Sequence, residues 1–384
     1  MADFTTPARL SGRIEARLRE IDDAGLRRTL RPPHGIDLSS NDYLGLARDP
    51  RVCSALAGAA MIEGTGSTGS RLLRGDRHCF AAVELAFAQF KKTASSLYFS
   101  TGWAANLSVL SVYAEADDVI FSDEKNHASL IDGMRLSRAR RVVYRHADVD
   151  HLRELLSSER CKGQKFVVTE SLFSMDGDAP DLEAIAALCR EEDAALIVDE
   201  AHAVGVYGAR GSGMIEECGV ESGVFLSVNT AGKALGVAGA FVAGDVHAID
   251  YLVQRARPFI FSTAPPPPVA AAIDEALRIV EGEPARRATL RAKALRLRAL
   301  LDEHATPALP GTSQILGIVI GENEATMRVA EELQRRGFDV RGVRPPTVPP
   351  GTSRLRVSVN LAVSDADLER FASELGSVRR ELNA

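Results

Sequence analysis

The sequence predicts an α/β fold: a mainly parallel central sheet flanked by helices, followed by a smaller α+β unit. Three observations carry that expectation. Between about residues 80 and 245 helix-like and strand-like segments alternate. The strand-like runs, among them AALIV, KFVVT and DVIFS, are apolar throughout, as expected of strands covered on both faces. With 384 residues, 45% of them hydrophobic, the chain can bury a large core.

In chain order, the segment to about Arg28 reads as a charged amphipathic helix and residues 52–62 as an alanine-rich one. Residues 79–90 form an amphipathic stretch and 95–99 an apolar strand. Residues 104–112 read as a helix, 166–169 as a strand, 182–190 as a helix, and 194–198 and 224–228 as strands. After residue 245 the pattern changes. Pro265 to Pro268 break the chain, two long helical stretches follow, and 314–320, 338–341 and 354–359 look like strands. These shifts suggest an N-terminal helical segment (1–45), a large unit (46–245) and a small α+β unit (246–384), with the first joining the last.

The bulk chemistry excludes several classes. A net charge of −6, with Lys and Arg spread along the chain, gives no reason to expect nucleic acid or an anionic membrane as partner. No apolar run approaches the length of a membrane span, and the N-terminus, with Glu15, Glu20, Asp22 and Asp23, does not read as a targeting segment. The five cysteines (Cys53, Cys79, Cys161, Cys189, Cys218) are odd in number, scattered and without zinc-type spacing. They are expected to be reduced thiols in a cytoplasmic protein, and no metal is expected.

Two motifs invite familiar assignments and do not support them. Gly64 to Gly69 matches GxGxxG, but a helix-like segment precedes it where a dinucleotide site needs a strand. A loop admitting close backbone approach is the simpler reading. Val198-Asp199-Glu200-Ala201-His202 resembles the acidic box of a helicase-like motor, yet the only candidate phosphate loop, Ala231-Gly232-Lys233-Ala234, lacks the upstream glycine and the magnesium-binding hydroxyl.

A different chemistry uses these residues together. An aspartate ending a buried strand can keep a pyridinium nitrogen protonated, and a lysine in a glycine-flanked loop can form an imine with an aldehyde. The interval from Asp199 to Lys233 leaves room for a helix and a further strand. Alone, Lys233 would more often be a solvated surface residue, and Asp199 could simply cap a helix.

The ordered set of motifs is more specific. It comprises Ser40-Asn41-Asp42-Tyr43-Leu44-Gly45, the glycine loop, Ser100-Thr101-Gly102-Trp103-Ala104-Ala105-Asn106, His127-Ala128-Ser129, and Glu170-Ser171-Leu172-Phe173-Ser174-Met175-Asp176-Gly177-Asp178. The aspartate-histidine box, the lysine loop and Arg344-Pro345-Pro346-Thr347-Val348-Pro349 complete it. Over almost its whole length the chain resembles the α-oxoamine synthases, acyltransferases among the fold-type-I pyridoxal-phosphate enzymes.

The resemblance implies an aspartate-aminotransferase-like fold and pyridoxal 5'-phosphate as cofactor. It implies Lys233 as the imine-forming lysine and catalytic base, Asp199 at the ring nitrogen, His202 at the ring hydroxyl and His127 stacked on the ring. Gly102, Trp103 and Thr230 would hold the phosphate, with Ser174 near the cofactor. Ser262 or Thr263 would reach the phosphate of a second subunit, implying a homodimer with active sites at the interface. Arg356 would clamp the amino-acid carboxylate through its bidentate fork, and Arg27, Arg344 and Thr347 would contact product or acyl chain. The segment 344–349 most resembles the branch that joins L-alanine to a pimeloyl thioester of coenzyme A or acyl carrier protein. Sister branches using glycine or serine with other acyl-CoAs share the same core. In one departure, relatives commonly have a histidine where this chain has Phe80; His78 nearby is given no role.

Overall fold

A computed structural model describes residues 7–383; residues 1–6 and 384 of the expected first and last units lie outside the described residues. Twelve strands are present among them: β1 (Ile36–Asp37), β2 (Ser95–Phe99), β3 (Val119–Asp123), β4 (Arg140–Tyr144), β5 (Lys165–Glu170), β6 (Ala194–Asp199), β7 (Leu226–Thr230), β8 (Ala240–Gly244), β9 (Ile315–Gly321), β10 (Phe338–Asp339), β11 (Arg341–Val343) and β12 (Ser353–Ser358). Seven form the central sheet, in the order β2-β8-β7-β6-β5-β3-β4. Only β8 runs antiparallel to its neighbours.

Along β5 and β6 successive residues go to opposite faces. Val167, Leu196 and Val198 join Val119 and Phe121 in one core cluster, while Phe166, Val168 and Ile197 join Ile120 and Leu226 in another. Apolar side chains at every position therefore satisfy a sheet with helices on both sides, as the unbroken runs predict. The helices start at designed stops: Asp181 accepts from the Ala184 amide ahead of Leu182–Glu191, and Thr101 accepts from the Ala104 amide ahead of Gly102–Tyr113.

β9, β11 and β12 make an antiparallel sheet in the order β11-β12-β9, and β1 pairs in parallel with β10. Residues 338–341, expected as one strand, therefore serve two sheets, with Val340 between them. The N-terminal helix is shorter than expected. It runs Ala8–Asp23 and stops at Ala24 and Gly25, the latter at φ +64°, a conformation glycine adopts without Cβ strain.

The glycine loop follows helix Pro50–Glu63, not a strand. Its backbone meets another segment directly: Gly69 O accepts from the Ala264 amide at 2.9 Å, and Ser67 Oγ donates to Pro265 O at 2.6 Å. No helix among the described residues is long and apolar enough to cross a membrane, and all five cysteines are free.

Candidate active site

Strands β2, β3, β5, β6 and β7 run in one direction and end on one edge of the sheet, the edge where ligands collect in open α/β sheets. Asp199 is the last residue of β6, beside Glu170 at the end of β5. Asp199 is 5% exposed. Its carboxylate accepts from Asn106 Nδ2 at 2.7 Å and from the Ala201 amide at 2.8 Å, so both oxygens are held and the carboxylate orientation is set. Asn106 also donates to Ser129 Oγ at 2.9 Å, and Ser129 Oγ lies 2.7 Å from His127 Nδ1. The His127 amide donates to Glu170 Oε1 at 2.6 Å. These contacts place His127, a partly open residue, at the N-cap of helix Ala128–Leu136 and edge-on to Trp103, centroids 6.0 Å apart.

Lys233 follows β7 in a turn closed by the Gly236 amide donating to Lys233 O at 2.8 Å. Lys233 Nζ lies 2.8 Å from His202 Nε2, and His202 Nδ1 lies 2.7 Å from Tyr43 Oη. Tyr43 in turn donates to Asn41 Oδ1 at 3.0 Å. One proton arrangement satisfies the chain: Lys233 donates to Nε2, Nδ1–H donates to Tyr43, and Tyr43 donates to Asn41. It requires neutral His202, and burial, reinforced by Lys233 and Arg356, does hold that imidazole well below its ordinary value of 6.5. Burial also pushes the Tyr43 phenol up to about 12.

Burial lowers the Lys233 ammonium to about 8, although Asp199 and Glu170 pull the other way; Arg356 assists the fall. An amine so shifted is neutral far more often near pH 7 than an ordinary lysine, which suits it to proton transfer or imine formation. Burial raises the Glu170 carboxyl well above its usual range, with Asp199 adding to the effect. For His127 burial lowers the imidazole, against the attraction of Asp199.

The donors for an anion lie beside this cluster. Gly102 and Trp103 are the first two residues of helix Gly102–Tyr113, where amides have no partner within the helix and the dipole favours negative charge. A Cβ on Gly102 would meet only Thr230, at 3.9 Å. Thr230 Oγ1 donates to Gly239 O and accepts from the Gly232 amide, each at 3.2 Å. A buried carboxylate, a depressed lysine, an open aromatic face and an amide-hydroxyl cradle together match the ring nitrogen, aldehyde, ring face and phosphate of pyridoxal phosphate. The residues fit that group.

Arg356 on β12 reaches the same place. Its guanidinium donates to Ser174 O at 2.6 Å, Ser358 Oγ at 2.7 Å and Asn41 Oδ1 at 3.1 Å. Three of its five N–H groups are thereby used, leaving two. Ser174 enters through its carbonyl. Arg27, Arg344 and Thr347 are not joined to the cluster. Arg344 donates to the carbonyls of Gly25 and Arg27, Arg27 pairs with Asp22 at 3.4 Å, and the Thr347 amide donates to Arg344 O. Ser262 and Thr263 are exposed, next to Phe261 at 71% exposure. Phe80 is fully buried against Tyr98 and Arg71, whereas His78 is exposed. A cavity of about 650 Å³ lined by Lys92, Glu216, Glu217, Arg287 and Arg291 lies elsewhere; there Glu216 pairs with Arg210, Glu217 with Arg291, and Arg287 donates to the carbonyls of Val280 and Ala209.

Comparison with known proteins decides the family. The model for aminotransferase class I and II matches residues 33–375. The 8-amino-7-oxononanoate synthase of Anaeromyxobacter dehalogenans is 45% identical over 382 residues, 96% of each chain. The chain belongs to the 8-amino-7-oxononanoate synthase family. Among solved structures, a serine palmitoyltransferase from S. paucimobilis with a bound PLP-myriocin adduct superposes with a TM-score of 0.90 at 28% identity, covering 98% of both chains. The 8-amino-7-oxononanoate synthase of Francisella tularensis gives 0.79 at 28% identity, covering 91% of this chain and 99% of that one. The expected fold-type-I architecture, the acyltransferase class and the pyridoxal-phosphate dependence hold.

Tyr43, Asn41, Asn106, Ser129 and Glu170 are contacts that the sequence reading did not assign. Signals were available for two. Asn106 interrupts an apolar helix, and Glu170 ends KFVVTE as Asp199 ends AALIVD.

Proposed function

We infer that this protein catalyses the decarboxylative condensation of L-alanine with a pimeloyl thioester, releasing CO2 and the thiol carrier and forming 8-amino-7-oxononanoate for biotin biosynthesis. The observation that carries the reading is the Lys233–His202–Asp199 cluster at one sheet edge, faced by Arg356. Bound pyridoxal phosphate supplies an electron-withdrawing ring that stabilises the negative charge left when the amino acid loses its α-proton.

The chain's own residues do the rest. Lys233 Nζ, freed as a neutral amine, takes the α-proton and later returns one. The Asp199 carboxylate, fixed by Asn106 and Ala201, holds a proton on the ring nitrogen. His202, fixed by Tyr43, faces the ring oxygen, while the ring of His127 provides a stacking surface. Gly102, Trp103 and Thr230 take the phosphate. Arg356 offers its two remaining N–H groups to the substrate carboxylate. In a homodimer Ser262 or Thr263 would complete the phosphate site of the other subunit; the exposure of both residues and of Phe261 supports this. The carrier is coenzyme A or acyl carrier protein, the setting is cytoplasmic, and the chain divides near residues 45 and 245.

Thiol release measured with alanine plus pimeloyl-CoA, glycine plus acetyl-CoA, glycine plus succinyl-CoA and serine plus palmitoyl-CoA tests the assignment. Turnover with another pair and none with the first would replace it by a sister synthase. Lys233→Ala should abolish borohydride-trapped cofactor while leaving the fold intact, and retained trapping would move the imine to another lysine.

A further inference from the structure

His146 lies outside the cofactor cluster, yet it is tied to it through one turn. Its Nδ1 is 2.9 Å from Asp123 Oδ1 at the end of β3, and its Nε2 is 2.7 Å from Asp178 Oδ2. Two carboxylate acceptors are both served only by a ring bearing two N–H groups, the imidazolium. The ring stands edge-on to Phe173, centroids 4.4 Å apart.

Phe173 and Asp178 bracket a tight turn, closed by the Phe173 amide on Asp178 O at 2.9 Å and the Gly177 amide on Phe173 O at 3.0 Å. This turn is where the central sheet meets β12. Asp176 takes Lys125 Nζ and Arg354 Nη1, Ser174 O takes Arg356 Nε, and Gly177 O takes Ser313 Oγ at 2.6 Å. At Gly177, φ +74°, a Cβ would lie 2.1 Å from Ile315 O, so the turn sits hard against β9. Arg354 and Arg356 alternate along one face of β12, and both reach the same turn.

We propose that His146 is a positioning residue: as an imidazolium it pins the 173–178 turn, and the turn holds the Arg356 fork toward the amino-acid carboxylate. The inference rests on the reading of Arg356 as the carboxylate clamp.

The groups facing His146 are Asp123 from β3, Glu124, whose carboxylate accepts the His146 amide at 3.1 Å, Asp176 and Asp178 from the turn, Lys125, Arg354 from β12, and the buried Tyr144 of β4. Burial pushes the Tyr144 phenol up, so it stays neutral. Four carboxylates, Asp123, Glu124, Asp176 and Asp178, thus face three cations, with Lys125 and Arg354 on Asp176 and the imidazolium on Asp123 and Asp178. Burial lowers the imidazole, but its bonds to Asp123 and Asp178 outweigh this and hold it at about 9. Loss of that proton leaves one of the two carboxylates without its donor and loosens the turn.

The test uses the holoenzyme and propionate, a carboxylate with no titrating amine, as competitor of L-alanine between about pH 7 and 10. In the unmodified protein the inhibition constant should rise about tenfold through a midpoint near 9 as the charge-assisted bonds fail. His146→Gln should start about fivefold weaker at neutral pH and lack the rise centred near 9, with kcat at saturating alanine and the cofactor absorbance unchanged. Titration of the cofactor site is common to both proteins, so the difference between profiles isolates His146. A profile for His146→Gln that matches the unmodified protein overturns the inference. Should that variant fail to fold, Asp178→Asn replaces it: its midpoint should fall below 9 because one stabilising charge is gone, and an unmoved midpoint also overturns the inference. Arg356→Met separates the two readings. If it leaves propionate inhibition intact, the clamp assignment fails; if it weakens inhibition while His146→Gln does not, only the role of His146 fails.

Discussion

Lys91→Met should destabilise the protein well beyond an ordinary single substitution. Lys91 and Glu200 form an ion pair with side chains 3% and 0% exposed. Lys91 Nζ also donates to Ser212 O at 2.6 Å, and Glu200 Oε1 accepts from the Ile215 amide at 2.9 Å. Removing the lysine leaves a buried carboxylate with one amide donor, which costs about 3–5 kcal/mol. With an unfolding entropy of about 2.1 cal/mol/K per residue, a chain of this size should lose roughly 4–6 °C of Tm. Replacing both partners, Lys91→Met with Glu200→Gln, removes the uncompensated charge and should recover about 2–4 kcal/mol of the loss, and the coupling exceeds that recovery by the cost of Glu200→Gln alone. Thermal unfolding followed by circular dichroism on the four proteins of the cycle measures it. A single variant within about 1 °C of the parent, or a double variant no better than the single, would refute the reasoning.

Cofactor uptake by the apoprotein should accelerate as pH rises through about 8, because the lowered Lys233 ammonium loses its proton there; an inflection near the ordinary 10.5 would show that burial does not act on it. Arg356→Met removes a neighbouring cation that assists the lowering, so the same stopped-flow absorbance titration should inflect at higher pH. For stability the sign of His146 is opposite. Its folded value is raised from 6.5 to about 9, so its contribution is complete below about 6.5 and disappears as pH rises through 9. Denaturant midpoints at pH 6 and 10 should show roughly 3 kcal/mol of alkaline loss that His146→Gln lacks. Asn106→Ala removes the 2.7 Å donor from Asp199. A hydrogen bond to a charged group contributes about 1.5–3 kcal/mol, so equilibrium dialysis should find pyridoxal phosphate held about 10- to 100-fold more weakly.

Much of the architecture was legible because burial leaves direct marks on sequence. Runs apolar at every position predicted strands covered on both faces, and β2, β5 and β6 lie within a residue or so of the expected spans. Where one short segment serves two sheets the sign failed: Phe338–Asp339 pairs with β1 and Arg341–Val343 with β12, and no local periodicity encodes a change of partner. The N-terminal helix ends short of the expected Arg28: charged residues continue past Asp23, while the stop resides in the backbone at Gly25. At the site, Lys233, Asp199, His202, His127 and Arg356 are brought together, but the residues that hold them had weaker signatures. Tyr43 sits in a quoted motif, yet nothing local shows that its hydroxyl meets a histidine 159 positions away. Arg27 and Arg344 meet each other instead of the cluster, a pairing of two loops that side-chain chemistry alone does not specify.

The pairing of β1 with β10 joins Ile36 to Phe338, and Arg356 arrives on β12 later still. On the ribosome, therefore, Asp199, His202 and Lys233 emerge more than a hundred residues before Arg356 does. The strands that carry the cofactor cluster are thus all synthesised well before β12, on which Arg356 sits. Closing so long a loop is slow relative to local helix formation. β12 also places Leu355 and Val357 in the buried cluster that holds Ala231, Ala234 and Leu235 around Lys233, so this late strand completes the core beneath the lysine loop as well as bringing Arg356.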